Sequence, residues 1–267
     1  MWYYILKYEN IQRLSLVGRG TMNYEKTRII PTIESGIFEN NDEAMFAIAE
    51  VSPEDLANMK EFSGAAKLRA NTYLESGFVS EEELDADGTE LDDNDERSMH
   101  YMLFERTAIQ SLVRVVGNMR LVRKTKLHPE PLPVEGYFPD YFADEAPIGS
   151  VEVSRLIARH ENTGLQSLLK WPMFIAAHQR VVADASGPAY GLLEPALAHQ
   201  LAIQNVPVTA LEEARYIEEI NATKQPVEID VAKLGRFIQA TGSQGVDITN
   251  SVSYLNLSNE SGERRSA

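Results

Sequence analysis

Four short apolar runs constrain this chain more than any other feature: "AMFAIAEV" (44–51), "MHYMLFE" (99–105), "LVRVVGNMRLV" (112–122) and "SVEVSRLIA" (150–158). Each is bounded by charged, Gly or Pro residues and is rich in β-branched or aromatic side chains, so each reads as a strand. Between the first and second, Ser52 and Pro53 supply an N-cap and a first helical position for a helix running through "LANMKEFSGAAKLRANTYLESG". A break is expected near Gly64 and a stop at Gly77. "RTAIQS" forms the hairpin loop joining the second and third runs.

Beyond the third run, "KTKLHPEPLPVEGYFPDYFADEAPIG" carries five of the 12 prolines and reads as an extended surface loop. "LQSLLKWPMFIAAHQRVVADAS" reads as a helix with Pro172 as a kink or a first-turn residue, "AYGLLE" as a strand, and "PALAHQLAIQN" as a helix opened by Pro195. "VPVTAL" and "PVEIDVAKL" are late strand candidates, with "EEARYIEEINA" helical between them. The order implies one mixed α/β sheet. Residues 1–40 form an N-terminal extension, 41–241 the folded domain, and 242–267, rich in Ser, Asn and Gly, a disordered tail.

With 267 residues, 43% of them hydrophobic, the chain is long enough for a sizeable core. Its formal net charge of −15 argues against a surface-wide affinity for nucleic acid or anionic membrane. It has no cysteine, which excludes disulfides, thiolate metal sites and cysteine nucleophiles. The five histidines show no compact ligand spacing, so no metal site is expected. No apolar run approaches the ~18 residues of a membrane span, and the N-terminus does not read as a signal peptide. A cytoplasmic protein is the expectation.

The stretch "DADGTELDDNDERSMHYMLF" (85–104) raises the functional question. As a calcium loop it fails, because neither Asp85 nor Asp87 as first ligand puts Gly sixth and a carboxylate in the remaining positions. A charge run alone reads as a solvated loop. Its flanks change the weighing. In order, the chain shows Arg69-x-x-x-Tyr73, Phe78, Glu90-x-Asp92-x-x-Asp95, Ser98-x-His100, "VVGNMRLV" with Arg120, "PLPVE", and "VEVSRLIA".

This ordered set resembles the acyl-homoserine lactone synthase-like branch of the GNAT acyltransferases over roughly residues 45–210. It is most similar to the N-acyl amino acid synthases and the PEP-CTERM exosortase system-associated acyltransferases. The resemblance implies an α/β (α+β) GNAT fold, a central twisted mixed sheet flanked by helices. It also implies transfer of a long-chain acyl group from an acyl-carrier-protein or acyl-CoA thioester to the amine of an amino acid or similar small acceptor. No permanently bound cofactor is implied. Phe78 stands where the lactone synthases carry a tryptophan, and Arg69 lies further from the N-terminus than their arginine. Both weigh against S-adenosylmethionine as acceptor. "RHENTG" (159–164) is no pyrophosphate loop, which favours a carrier-protein donor over coenzyme A.

On the residues alone, Glu152 is either a base raised by partial burial or a strand glutamate on a wet face or paired with Arg155. The resemblance favours the catalytic role. It likewise favours a charged acceptor-binding cluster of Arg69, Asp92, Asp95, Arg120 and Arg155 over solvated surface charge, with Asp92 and Asp95 drawing the cationic amine. Trp171, Met173 and Phe174 either line an acyl-chain pocket or are core. Arg123, Lys124, Lys126, Arg159 and Lys170 either form a docking patch for the acidic carrier protein or are scattered solvated charge. An autoinducer synthase using S-adenosylmethionine and a non-catalytic acyl- or partner-binding protein are the alternative functions.

Overall fold

In the computed structural model, residues 2–7, 32–34, 44–53, 60–107, 112–162, 166, 169–184, 187–242 and 253–256 are described. The sheet contains β1 (Trp2–Lys7), β3 (Ala44–Val51), β4 (Ser98–Arg106), β5 (Leu112–Arg123), β6 (Val151–Ala158), β7 (Ala189–Leu193), β8 (Val208–Ala210), β10 (Ala222–Ile229) and β11 (Ser253–Asn256). Their order is β11-β1-β3-β4-β5-β6-β7-β10-β8; β2 (Thr32–Glu34) pairs with β5 and β9 (Arg215–Ile217) with β10. The four apolar runs are therefore adjacent, as their order implies. The helices are α1 (Lys60–Ser76), α2 (Pro133–Tyr137), α3 (Lys170–Asp184), α4 (Pro195–Ile203) and α5 (Val231–Gly242).

The central strands are apolar on both faces because both faces are covered. Phe46 and Ile48 of β3 join Tyr101, Leu103, Met119 and Leu121 beneath α3. Ala47, Ala49 and Val51 of the same strand face the other way, with Phe62, Ala65 and Leu68 of α1. No break occurs at Gly64. The helix runs through it, tolerating a cost of ~1 kcal/mol, because the flanking turn buries Phe62, Ala65 and Ala66. It stops at Gly77, where φ is 71° and the Phe78 N–H reaches back to the Tyr73 carbonyl at 2.9 Å. Residues 54–59 of the expected helix and 108–111 of the expected hairpin loop lie outside the described residues.

Most pairs in the sheet are antiparallel; β6 and β7 are parallel and linked through α3. Their pairing is confined to Val151–Val153 against Ala189–Gly191, so the second half of β6 diverges from β7 and opens a splay. A second irregularity lies on the other side of β6. Asn118 pairs with Ile157 and Arg120 with Ser154, so Arg155 and Leu156 together oppose Met119. Arg155 occupies the bulge at φ 54°.

Three expectations need correction. The proline-rich segment is not an extended surface loop: Leu132, Val134, Phe138, Phe142 and Ala146 are buried, packed on Val122 and Tyr190. Its compactness comes from carboxylates inside it. Glu135 accepts the Leu132 N–H at 2.6 Å and the Ala146 N–H at 2.7 Å, folding the segment back on itself. "EEARYIEEINA" is not helical; it contains β9, one 3-10 turn at Glu218–Ile220, and Asn221 at φ 45° turning the chain into β10. The strand in "PVEIDVAKL" ends at Ile229, because Asp230 accepts the Lys233 N–H at 2.8 Å and caps α5. Pro172 is a first-turn residue of α3.

Of the expected terminal extensions, β1, β2 and β11 are strands of the sheet, and the remainder of 1–40 and of 243–267 lies outside the described residues. Among the described residues, no helix is long and apolar enough to cross a membrane.

Candidate functional site

The acidic stretch divides in two. Its first part is exposed and held by local hydrogen bonds, with Asp85 accepting the N–H groups of Asp87 and Thr89. Its second part turns inward. Glu90 is 7% exposed and Asp95 is 4% exposed, and a 3-10 turn at Asp95–Arg97 delivers the chain into β4.

Four segments meet there. Arg69 comes from α1 and is fully buried, with its Nη1 and Nη2 donating to the two Asp95 oxygens at 2.8 and 3.1 Å and its Nε to Glu90 at 2.5 Å. Arg120 from β5 donates to Asp92 at 2.5 Å and to Asp95 at 3.0 Å, and its Nε reaches the Ser154 hydroxyl at 3.1 Å. Arg155 from the β6 bulge bridges Asp92 at 2.7 Å and Glu90 at 2.8 Å. It also lies over the Tyr73 ring at 5.2 Å. All five cluster residues named from the sequence are thus brought together.

Three arginines face three carboxylates, so the network is formally neutral. Burial pushes Asp92 and Asp95 up, but Arg120 beside Asp92 and Arg69 beside Asp95 outweigh it, leaving both below the usual carboxylate range. Burial lowers Arg69 and Arg155, but Asp95 first and then Glu90 raise Arg69, and Tyr73 first and then Glu90 raise Arg155; the net shift is upward for both. Burial also lowers His100 to about 4, so it is neutral at pH 7, with its Nε2 at 3.3 Å from the Asp95 carbonyl.

Asp95 is bonded to Arg69 and Arg120, and Asp92 to Arg120 and Arg155, so each of these carboxylates is matched by two guanidiniums. Exposure separates the members: the Arg69, Arg120 and Asp95 side chains are at most 6% exposed, whereas Asp92 is 27% and Arg155 26% exposed. The face the network turns outward is therefore one carboxylate beside one guanidinium. The Arg155 Nε and the Asn118 Oδ1 are buried and have no hydrogen-bond partner among the described residues.

Glu152 follows on the same face of β6, two residues before Ser154. It is 2% exposed and accepts the Val134 N–H at 2.7 Å. Burial raises it to about 7, against the opposing pull of that N–H and of Arg120 and Arg155. Arg155 is bonded to Glu90 and Asp92 and not to Glu152, so the buried glutamate is neither on a wet face nor in that ion pair.

Glu90 is a further member of the network and bonds two of the three arginines; its place at the head of Glu-x-Asp-x-x-Asp is the sequence signal for it. Arg97 is a residue that the sequence motifs do not mark. It ties the acidic turn to the proline-rich segment through the Glu130 and Pro131 carbonyls at 2.8 and 2.6 Å.

The basic patch does not hold together. Lys124 is 2% exposed and clamped by Glu135 at 3.1 Å and Glu145 at 3.2 Å, and Arg159 is tied to Glu75 at 2.5 Å. Met173 is fully buried in the core, while Trp171 stands beside Phe174 and Phe237 with centroids 6.1 and 5.8 Å apart. Among the described residues, no group of three or more His, Asp and Glu side chains could hold a metal ion.

No protein-family model matches the chain, and no curated protein does. Solved structures do. One is "a COA-dependent acyl-homoserine lactone synthase, BjaI", at TM-score 0.54 and 20% identity over 73% of this chain and 89% of that one. A second is TofI, crystallised "in a ternary complex with an inhibitor and MTA", at TM-score 0.53 and 18% identity over 73% and 96%. A third is FeeM, "an N-acyl amino acid synthase from uncultured soil microbes", at TM-score 0.50 and 13% identity over 70% and 92%. The chain shares their fold: the mixed sheet with flanking helices that the resemblance implied is the observed one.

Proposed function

We propose that this protein is an N-acyltransferase that moves a fatty acyl group from a carrier-protein or coenzyme A thioester to the amine of an amino acid. The observation that carries the reading is Glu152: a buried carboxyl raised to about 7, on the strand that diverges from β7, next to the network's exposed edge. A base with that value is matched to neutral pH.

In this reading the thioester enters the splay between β6 and β7. The amine nitrogen attacks the thioester carbonyl carbon, forming the C–N bond as the C–S bond breaks. Before attack, one ammonium proton passes to Glu152, directly or through one water; after attack, the second N–H proton goes to the departing thiolate, which leaves as the thiol, and Glu152 later returns its proton to solvent. No covalent enzyme intermediate is needed. Asp92 and Arg155 are the partly exposed members, and binding of a zwitterionic α-amino acid would exchange their mutual ion pair of 2.7 Å for contacts to its ammonium and carboxylate. Asp95, Arg69, Arg120 and Glu90 then act as positioning residues. Trp171 and Phe174 are the proposed wall of the acyl-chain site, with Met173 behind them in the core. Arg123, Lys126 and Lys170 remain as the cationic contacts for a carrier protein.

The test supplies purified protein with acyl-carrier-protein or acyl-CoA thioesters of several chain lengths, a mixture of the twenty amino acids, and S-adenosylmethionine. Products are read by mass spectrometry. N-acyl amino acids formed by the wild type, and lost in Glu152→Gln, support the proposal. Consumption of S-adenosylmethionine with release of a lactone would replace it, and no product from any thioester would leave a binding protein.

A further inference from the structure

Arg97 closes the 3-10 turn that delivers the acidic stretch into β4, and its side chain is 9% exposed. It reaches in two directions. Its Nε and Nη2 donate to the Asn94 side-chain oxygen at 3.2 and 2.6 Å, while Nη1 and Nη2 donate to the Glu130 and Pro131 carbonyls. The Asn94 N–H donates in turn to Asp92 at 2.8 Å. On the other side, the chain beyond Pro131 enters α2, where the Val134 N–H holds Glu152. One guanidinium therefore spans from the turn that carries Asp92 to the segment that holds Glu152.

The charge of Arg97 is used differently from that of its neighbours. Arg69, Arg120 and Arg155 each bond carboxylates of the network, and those six charges cancel. Among the described residues, none of the hydrogen bonds of Arg97 ends on a carboxylate. Its ion-pair partner is Glu130, 3.7 Å away, and that side chain is 58% exposed. Attraction to an exposed anion is weakened by water, whereas attraction to a buried one is not. Glu152 is the buried one, and Arg97 and Glu152 each favour the other's charged form. Arg120 of β5, Arg155 of β6 and Tyr137 of α2 also act on Glu152, and Tyr190 of β7 lies beside it in register. Both of those arginines are already matched by network carboxylates.

We propose that Arg97 is a positioning residue for the base: its charge, fixed in place by the fork on the Glu130 and Pro131 carbonyls, keeps the Glu152 carboxyl able to ionise at the working pH. A guanidinium suits this role because its rigid fork fixes where the charge sits and it stays protonated throughout the working range. The proposal rests on the acyl-transfer reading for the role of Glu152, but its first test needs no turnover.

Full-length protein labelled with 13C at the glutamate side-chain carboxyls is titrated by NMR, the Glu152 resonance being identified by its absence from Glu152→Gln. The wild-type midpoint is expected at about 7. Arg97→Gln, which removes the charge, is expected to raise it by roughly one pH unit, and Arg97→Lys, which keeps the charge, by less than about half of that. The rate profile of acyl transfer should move with the midpoint. In Arg97→Gln, kcat then falls about fivefold at pH 7 and recovers by pH 9, while KM for the acceptor stays within about twofold. A lower melting temperature with an unmoved midpoint marks Arg97 as a brace for the fold and overturns the proposal. So does a displacement in Arg97→Lys as large as in Arg97→Gln, or a wild-type Glu152 that titrates in the ordinary glutamate range. No transfer from any thioester removes the acyl-transfer reading instead, and the titration alone then decides whether Arg97 governs Glu152.

Discussion

Replacing Asp95 with asparagine isolates what the buried network contributes. Asp95 accepts two bonds from Arg69, one from Arg120 at 3.0 Å, and one from the Asp92 N–H at 2.9 Å. Asparagine keeps the size and one acceptor oxygen but turns a neutral set of six charges into one with an uncompensated cation. Arg69 has no route to water, being fully buried. Breaking one side of such a pair costs about 3–5 kcal/mol, roughly a fifth or more of a typical domain's stability of about 5–15 kcal/mol. At about 2–4 °C per kcal/mol for a chain of this size, the melting temperature should fall by roughly 6–20 °C.

The pH dependence follows from sign. Asp95 lies below its unfolded value, so its contribution is fully present above that value, about 3.9, and is lost as pH falls through the lower folded one. The gap between variant and wild type should therefore be flat from pH 7 to 4 and narrow only below. Far-UV circular dichroism melts across that range measure it. Glu82→Gln, at an exposed carboxylate just before the acidic stretch, is the control and should stay within about 0.5 kcal/mol of wild type. If Asp95→Asn melts like Glu82→Gln, the network is worth no more than surface charge and the argument fails.

Other outcomes follow from single features. Glu152→Gln should fold and lose about 10²–10⁴-fold in acyl transfer, while the wild-type rate rises with pH through about 7 as the base ionises; a flat rate profile between pH 6 and 8 removes the base assignment. The same raised value means that wild-type stability falls as pH climbs from the unfolded glutamate value toward about 7, and Glu152→Gln should abolish that loss in melts at pH 5 and 8. Arg155→Gly should be more stable than Arg155→Ala by about 1 kcal/mol, since both lose the ion pairs but only alanine keeps the strain of φ 54°. Gly117→Ala should cost about 1–3 kcal/mol, because its Cβ would stand 3.0 Å from Leu103 Cβ and Met173 Cε; adding Met173→Ala should recover part of it.

The strands legible in the sequence were those whose apolar residues have no other use. The run "AMFAIAEV" buries both faces of β3, so its composition and its environment agree. The proline-rich segment misled because proline reports on backbone freedom and not on burial. What folds it inward is Glu135 and Glu152 accepting N–H groups, and Lys124 between two glutamates, which no local pattern announces. "EEARYIEEINA" misled because its helix-forming glutamates are exposed and decide little, whereas Asn221 in the left-handed region sets the turn. The candidate site was legible in its residue types, since a buried arginine requires a carboxylate. Its charge balance was not: that neutrality depends on Glu90 turning inward while Asp85 and Asp87 stay in water.

The hydrogen bond from the Val134 N–H to Glu152 binds the proposed base to the proline-rich segment. A donor favours the ionised acceptor, so the segment's order and the carboxyl's acidity are one thermodynamic quantity seen from two ends. Each protonation of Glu152 loosens the tether at Val134, and each loosening of the tether makes the carboxyl harder to ionise. Changes at Glu135 or Ala146, which hold the segment through their mutual hydrogen bond while Val134 holds Glu152, should then appear as a displaced pH profile before any loss of fold. The segment is a tuning peg for the base, and drift among related sequences along 129–147 would shift the working pH while leaving the reacting groups untouched.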